Sequence, residues 1–192
     1  AGGARECRLV GSVEEARALA ATLPGAVISA EIDGYPVPGI AISNSPTQVR
    51  AADLRGRCLV QRTSSGTQAV VAANAAQTLY AASLVVASAT ARALEAAGSG
   101  PITLVATGED RGHPEDRACA LYLESLLRHD PADVETLLAP LRASARWEVL
   151  QEGGWPGFPV SDLDLALVAD RFPFALRVRR DHLGHCLTAE PA

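Results

Sequence analysis

CLVQRTSSGTQAVVAANAA, residues 58–76, joins a short apolar run to a long alanine- and valine-rich segment through one polar turn. The run Cys58–Gln61 has the length and composition of a buried strand, and Thr67–Ala76 reads as a helix. Between them stand Arg62, Thr63, Ser64, Ser65, Gly66 and Thr67. A strand, a tight polar turn and a helix are the repeating unit of a parallel α/β sheet, in which each strand returns through a crossover helix. The turn then lies at the carboxyl end of its strand, where such sheets bind their ligands.

The unit recurs along the chain. Strands are predicted at Glu6–Val10, Ala26–Ile32, Ser83–Ala87 and Ile102–Ala106, the last in one sheet with Cys58–Gln61. Ile40–Ile42 is expected to be extended, and Phe174–Arg179 to form a final strand paired with Cys186–Thr188. Helices are predicted from the cap Ser12 to Leu23, over Ala89–Ala97, from Pro114 to Arg128, over Pro131–Ser144 and over Asp162–Asp170. Ser12 and Glu15 form a capping box, and Pro24-Gly25 ends that first helix. The expected fold is α/β: a three-layer α/β/α arrangement with a mostly parallel central sheet, over the single domain that 192 residues allow.

Composition narrows the function. Hydrophobic residues make up 48% of the chain and charged residues 20%, the balance of a soluble globule. A net charge of −5 opposes general nucleic-acid binding, and no apolar run is long enough for a membrane helix, so cytoplasm is the expected location. All 17 cationic side chains are arginine. The lack of lysine excludes Schiff-base chemistry and the Walker phosphate loop. Cys7, Cys58, Cys119 and Cys186 are widely spaced, as buried free thiols are and zinc ligands are not.

The Thr63–Thr67 turn can cradle an anion. A helix start has unpaired N–H groups, Gly66 admits close approach, the hydroxyls add donors and Arg62 adds charge. The same residues also suit a plain helix cap. In Thr107–Asp116 four carboxylates, Glu109, Asp110, Glu115 and Asp116, gather beside Arg111 and His113. Glu115 and Asp116 suit the first turn of a helix. Beside a phosphate cradle they also suit Mg²⁺, which takes hard oxygen ligands. Glu31 and Asp33 offer a further ligand or a solvated turn, and Asn44 and Ser45 offer donors to a ligand or ordinary turn chemistry before Pro46. His113 reads as a helix cap rather than a general acid, and His182 and His185 as residues of a hairpin turn rather than metal ligands.

The ordered set N-S-P (44–46), T-S-S-G-T-Q-A (63–69) and T-G-E-D-R-G-H-P-E-D-x-x-C-A (107–120) resembles the 2-phosphosulfolactate phosphatase family over roughly residues 1 to 125. The resemblance implies a Mg²⁺-dependent hydrolase that removes phosphate from 2-phospho-3-sulfolactate on the route to coenzyme M. On that reading Glu109, Asp116 and Arg62 are catalytic. Asn44, Ser45, Thr63, Ser64, Ser65, Gly66, Thr67 and Arg111 bind the phosphorylated acid, and Glu31, Glu115 and Asp116 hold the metal. The family's T-N-G-T has Ser65 in place of asparagine here, and its G-E-R appears as Ala30-Glu31-Ile32. The family's opening D-V-L-R-A-T-T strand has no counterpart, so the chain is expected to be the remainder of a longer protein, with a homodimer as its expected assembly. The competing expectation is a non-catalytic module that binds a phosphorylated metabolite. A dinucleotide binder is disfavoured because G-x-G-x-x-G is absent.

Overall fold

The computed structural model describes residues 2–73, 75–98, 100–108 and 112–192. Its elements are β1 (Glu6–Leu9), α1 (Val13–Thr22), β2 (Val27–Ile32), β3 (Tyr35–Pro36), α2 (Pro46–Ala51), β4 (Cys58–Arg62) and α3 (Gly66–Ala72). A 3₁₀ turn at Leu84–Val86 leads into α4 (Ala87–Ala96). Then come α5 (Pro114–Leu127), α6 (Val134–Arg142), α7 (Ala145–Gln151), α8 (Ser161–Ala166), β5 (Phe174–Asp181) and β6 (Gly184–Pro191).

The strands form one sheet in the order β3-β2-β4-β1-β6-β5. Its centre is parallel, with β4 between β2 and β1. Its margins are antiparallel: β3 beside β2 on one side, β6 and β5 beyond β1 on the other. This is an α/β fold, as the strand–turn–helix reading predicts. The register sets Glu6 beside Cys58 and Arg8 beside both Val60 and Cys186. Side chains alternate across β2. Ile28 and Ala30 pack in the apolar clusters that α1 covers, whereas Ser29 binds the Ser43 carbonyl in the loop before α2.

Local chemistry explains the first half well. Ser12 Oγ accepts the Glu15 N–H at 3.0 Å, and the Glu15 carboxylate accepts the N–H of Gly11. Asp33 and Gly34 both take positive φ, 51° and 82°, giving the two-residue turn whose twist suits the β2–β3 hairpin. Ser45 caps α2 with Pro46 at its first position. The final hairpin turns at His182-Leu183, between paired Asp181 and Gly184.

Four expectations are corrected. Ser83–Ala87 is not a strand: Leu84, Ala87 and Ala91 recur at helical spacing and are buried in one cluster with Ala118, Tyr122, Leu123, Leu138 and Leu141. A four- or five-residue apolar run has too little periodicity to separate the two structures. Ile102–Ala106 is not a strand and does not join the sheet of Cys58–Gln61. The place beside β1 is filled by antiparallel β6, Leu104 packs on the helical cluster instead, and Ile102 and Val105 are exposed. The helix expected over Pro131–Ser144 is shorter, and a separate α7 follows once Ser144 caps it through the Trp147 N–H. The helix after the polar turn opens at Gly66 and closes at Ala72, earlier than Ala76.

Among the described residues no helix is long and apolar enough to cross a membrane. All four cysteines are free thiols, with Cys58 and Cys186 buried.

Candidate functional site

Arg62 ends β4, and the chain turns at once into α3. Thr63 and Thr67 brace that turn reciprocally. The Thr63 N–H donates to Thr67 Oγ1 at 2.8 Å, and the Thr67 N–H donates to Thr63 Oγ1 at 3.1 Å. Gln68 Nε2 adds bonds to the carbonyls of Thr63 and Gly11. Ser65 occupies the cap position of α3 but makes no capping bond with its side chain. The threonines do that work, which leaves the Ser65 hydroxyl and the Gly66 backbone at the helix opening.

Ser64 is committed differently. Its N–H and its hydroxyl both donate to the Glu31 carboxylate, the latter at 3.2 Å. Gly34 N–H donates to the same carboxylate at 2.6 Å. Ser64 Oγ in turn accepts from Asp33 N–H at 2.8 Å and from Arg62 Nη1 at 2.9 Å. Arg62 Nη1 also donates to the Glu31 carbonyl. Glu31 is only 3% exposed, so its charge is matched by these donors rather than by water. The β2 and β4 ends are thereby locked together, and one N–H of the expected anion cradle is filled by the protein's own carboxylate. Arg62 Nε is buried without a partner among the described residues, so the guanidinium retains donor capacity.

The second polar region begins α5. His113 stands at the cap position expected for it, but its side chain makes no capping bond. Asp116 Oδ2 accepts from Thr107 Oγ1 at 3.3 Å. Gly108 lies so close that a Cβ built there would fall 2.4 Å from His113 Nδ1 and 2.6 Å from Asp116 Oδ2. Glu115 is paired with Arg146 at 3.2 Å. Glu109 and Arg111, expected respectively as a catalytic group and a phosphate ligand, lie outside the described residues, as does Asp110.

The metal set expected from sequence is not assembled among the described residues. No group of three or more His, Cys, Asp or Glu side chains converges there. Glu31 serves Ser64 and Gly34, and Glu115 serves Arg146. Asp116 is the remaining expected ligand with no cation bound to it among the described residues. Mg²⁺ needs only one or two protein carboxylates when a phosphate and water fill its other positions, so Asp116 with Glu109 fits that demand in chemical type.

Asn44 is exposed beside the turn into α2, whereas Ser45 is fully buried and donates to Asp162 Oδ1 at 2.8 Å. Ser45 therefore holds the chain together and does not face a ligand. Three residues of this region escaped the sequence reading: Arg146, Trp155 and Asp162. Trp155 in the E-G-G-W-P-G-F-P loop signals itself only as an aromatic in a glycine-rich turn. Its partner Gly34 is 121 positions away in sequence.

The model of the family described as 2-phosphosulpholactate phosphatase matches residues 1–149, which takes in the Thr63–Thr67 turn, the start of α5 and Arg146. The chain belongs to this family. The match upholds the resemblance carried by the three short motifs. A probable 2-phosphosulfolactate phosphatase of Bacillus subtilis is 31% identical over 131 residues, covering 66% of this chain and 55% of that protein. One of the same name from Deinococcus radiodurans is 37% identical over 111 residues, covering 56% of this chain and 45% of the relative. A third, from Carboxydothermus hydrogenoformans, is 32% identical over 127 residues, with 66% and 52% covered. The chain spans about half the length of the curated relatives it matches. Within the 2-phosphosulpholactate phosphatase match lie Glu31, Arg62, Ser64 and Asp116; Trp155 and Asp162 lie beyond it.

Proposed function

We propose that this protein is a phosphatase that hydrolyses a small acidic phosphomonoester, with 2-phospho-3-sulfolactate as the substrate and sulfolactate and inorganic phosphate as products. The family match across the Arg62–Thr67 turn carries this reading. Its relatives bear the name of that activity. The substrate would belong to coenzyme M biosynthesis, as the resemblance implies.

The chemistry of the turn supports the reading. A phosphate dianion needs donors and positive charge without lysine, and Arg62 supplies a guanidinium held in place by the Glu31 carbonyl and Ser64 Oγ. A Cβ at Gly66 would meet no atom closer than Thr63 Oγ1 at 3.8 Å, so the backbone there is open to approach. Ser65 and Gly66 would offer N–H groups to the phosphate, with Arg62 binding its outer oxygens. Glu31 would keep the Ser64 end of the turn rigid. Asp116, together with Glu109, would hold Mg²⁺. Bound there, the ion would offset the negative charge on phosphate as the ester bond breaks.

A binding module without turnover is the second reading. It is favoured by the commitment of Glu31 and Glu115 to partners inside the protein. Phosphate release from 2-phospho-3-sulfolactate and a panel of small phosphomonoesters, with MgCl₂ and with EDTA, separates the two. Magnesium-dependent release is expected. Tight phosphate binding that EDTA leaves unchanged, with no release from any ester, would establish the binding module instead.

A further inference from the structure

Trp155 lies between the β2–β3 turn and Arg146. Its indole Nε1–H donates to the Gly34 carbonyl at 3.0 Å, and its ring lies 5.7 Å from that of Tyr35. Gly34 is at φ +82°, and a Cβ there would fall 2.8 Å from the Trp155 indole nitrogen, so the indole is seated directly on the backbone of the β2–β3 turn. Two residues on, Gly157 receives Pro36 in the same manner: a Cβ would fall 2.4 Å from its Cγ. The loop is thus pressed onto the hairpin at two points. The Arg146 guanidinium lies over the Trp155 ring, 5.6 Å from its centroid, and pairs with Glu115 in the first turn of α5.

We infer that Arg146 and Trp155 are positioning residues: a bracket that fixes the Glu31–Ser64 turn at a set separation from the acidic start of α5. The contacts run without a break from Glu31 through Gly34, Trp155 and Arg146 to Glu115. Each link is of a kind that sets orientation as well as distance: a buried carboxylate on an N–H, an indole N–H on a carbonyl, a planar cation over a ring, an ion pair. Trp155 lies outside the family match, so this part of the site is contributed by a segment the family model does not reach. The role rests on the phosphatase reading only in taking both polar turns to serve one reaction.

The test uses Trp155→Phe, which keeps the ring but loses the indole N–H, and Arg146→Gln, which releases Glu115. Amide hydrogen exchange is followed at Gly34 and Ser64, alongside steady-state hydrolysis of 2-phospho-3-sulfolactate. Exchange at both amides is expected to accelerate at least tenfold in each variant, with the β5–β6 hairpin unaffected. The kcat is expected to fall about tenfold with KM within twofold. Unchanged protection at Gly34 and Ser64 in both variants overturns the bracket whatever the activity. A rise in KM with kcat retained overturns its role in setting the reacting geometry. Accelerated exchange with no hydrolysis by the unmodified protein leaves the bracket standing and removes the phosphatase reading.

Discussion

Ser45 donates its hydroxyl hydrogen to Asp162 Oδ1 at 2.8 Å, and both side chains are fully buried, 117 positions apart in sequence. The same oxygen accepts the Thr47 N–H at 2.8 Å, so Asp162 caps α2 from the far end of the chain. Replacing Asp162 by alanine strands the buried Ser45 hydroxyl and the part-buried Thr47 N–H, a buried donor being worth about 1–3 kcal/mol when left unpaired. A loss of about 2–4 kcal/mol in denaturant unfolding is expected. Asp162→Asn keeps an acceptor oxygen and is expected to cost less. Ser45→Ala added to Asp162→Ala is expected to cost less than the sum of the two single changes, because they share one interaction, with the loss of the Ser45 cap on the Gln48 N–H as the remainder.

Gly66 and Gly108 are expected to respond oppositely to alanine. Gly66 has room for a methyl group, and alanine in a helix gains about 0.5–1 kcal/mol over glycine. The Gly66→Ala protein is expected to be as stable as the parent or slightly more so, while binding phosphate more weakly in calorimetry. Gly108→Ala drives a carbon into His113 and Asp116. It is expected to lower the melting temperature and weaken the response to Mg²⁺.

Asp116→Asn tests the proposed metal ligand. It retains the size of the side chain and an acceptor for Thr107, so the melting temperature is expected to hold within a few degrees. Phosphate release is expected to fall by roughly two orders of magnitude or more, and the Mg²⁺ concentration for half-maximal rate to rise. Unchanged magnesium dependence would take Asp116 out of the reaction.

Acid should find its way in through the centre of the sheet. Arg8 is buried and binds Glu6 Oε2 and Asp181 Oδ1, each at 2.7 Å. Burial pushes the Glu6 carboxyl up, but hydrogen bonds from Arg8 and Arg5 more than offset this and leave it below the usual range. The Arg8 hydrogen bond, with the Leu183 N–H, likewise holds Asp181 low. Carboxyls depressed in the folded state add stability above their unfolded pKa of about 4, and this is lost as pH falls through the folded values. Stability is therefore expected to decline below about pH 4. An Arg8→Gln protein is expected to show a shallower decline in the same unfolding series.

The four thiols are expected to be silent in the folded protein. Burial pushes Cys7 and Cys119 up to about 12, and it raises Cys58 and Cys186 as well. Only the thiolate attacks a disulfide reagent. At pH 8 Ellman's reagent should react slowly with the native protein and rapidly after guanidinium is added. A fast native phase would show that one of these sites opens.

Much of the first half of the fold was legible because its signals are local. The Ser12–Glu15 box and the Asp33-Gly34 turn each act within a few residues, whereas Ser45-Pro46 was read as a turn and the helix α2 that starts there was not expected. Leu84–Val86 and Ile102–Ala106 misled for one reason: a short apolar run is satisfied equally by a sheet or by a helical cluster, and only the rest of the molecule decides. The Thr63–Thr67 turn was legible as polar and strand-terminal, but not the identity of its first occupant. That a carboxylate 33 positions upstream takes the Ser64 N–H depends on β2 lying beside β4, which no local pattern records. Trp155 and Asp162 were hidden in the same way, since their partners are 121 and 117 positions distant.

The neighbours of β1 impose an order on assembly. This strand is synthesised before both of its neighbours, β4 about fifty residues later and β6 about 180 residues later. Contacts so distant in sequence close slowly, since the intervening chain must be ordered first. During synthesis β1 can pair with β4 while its other backbone edge waits for the hairpin of β5 and β6. Through that interval the nascent protein carries an open strand edge, the kind of template on which unfinished chains join one another. Emergence of the hairpin ends this exposure, so the later strand protects the earlier one.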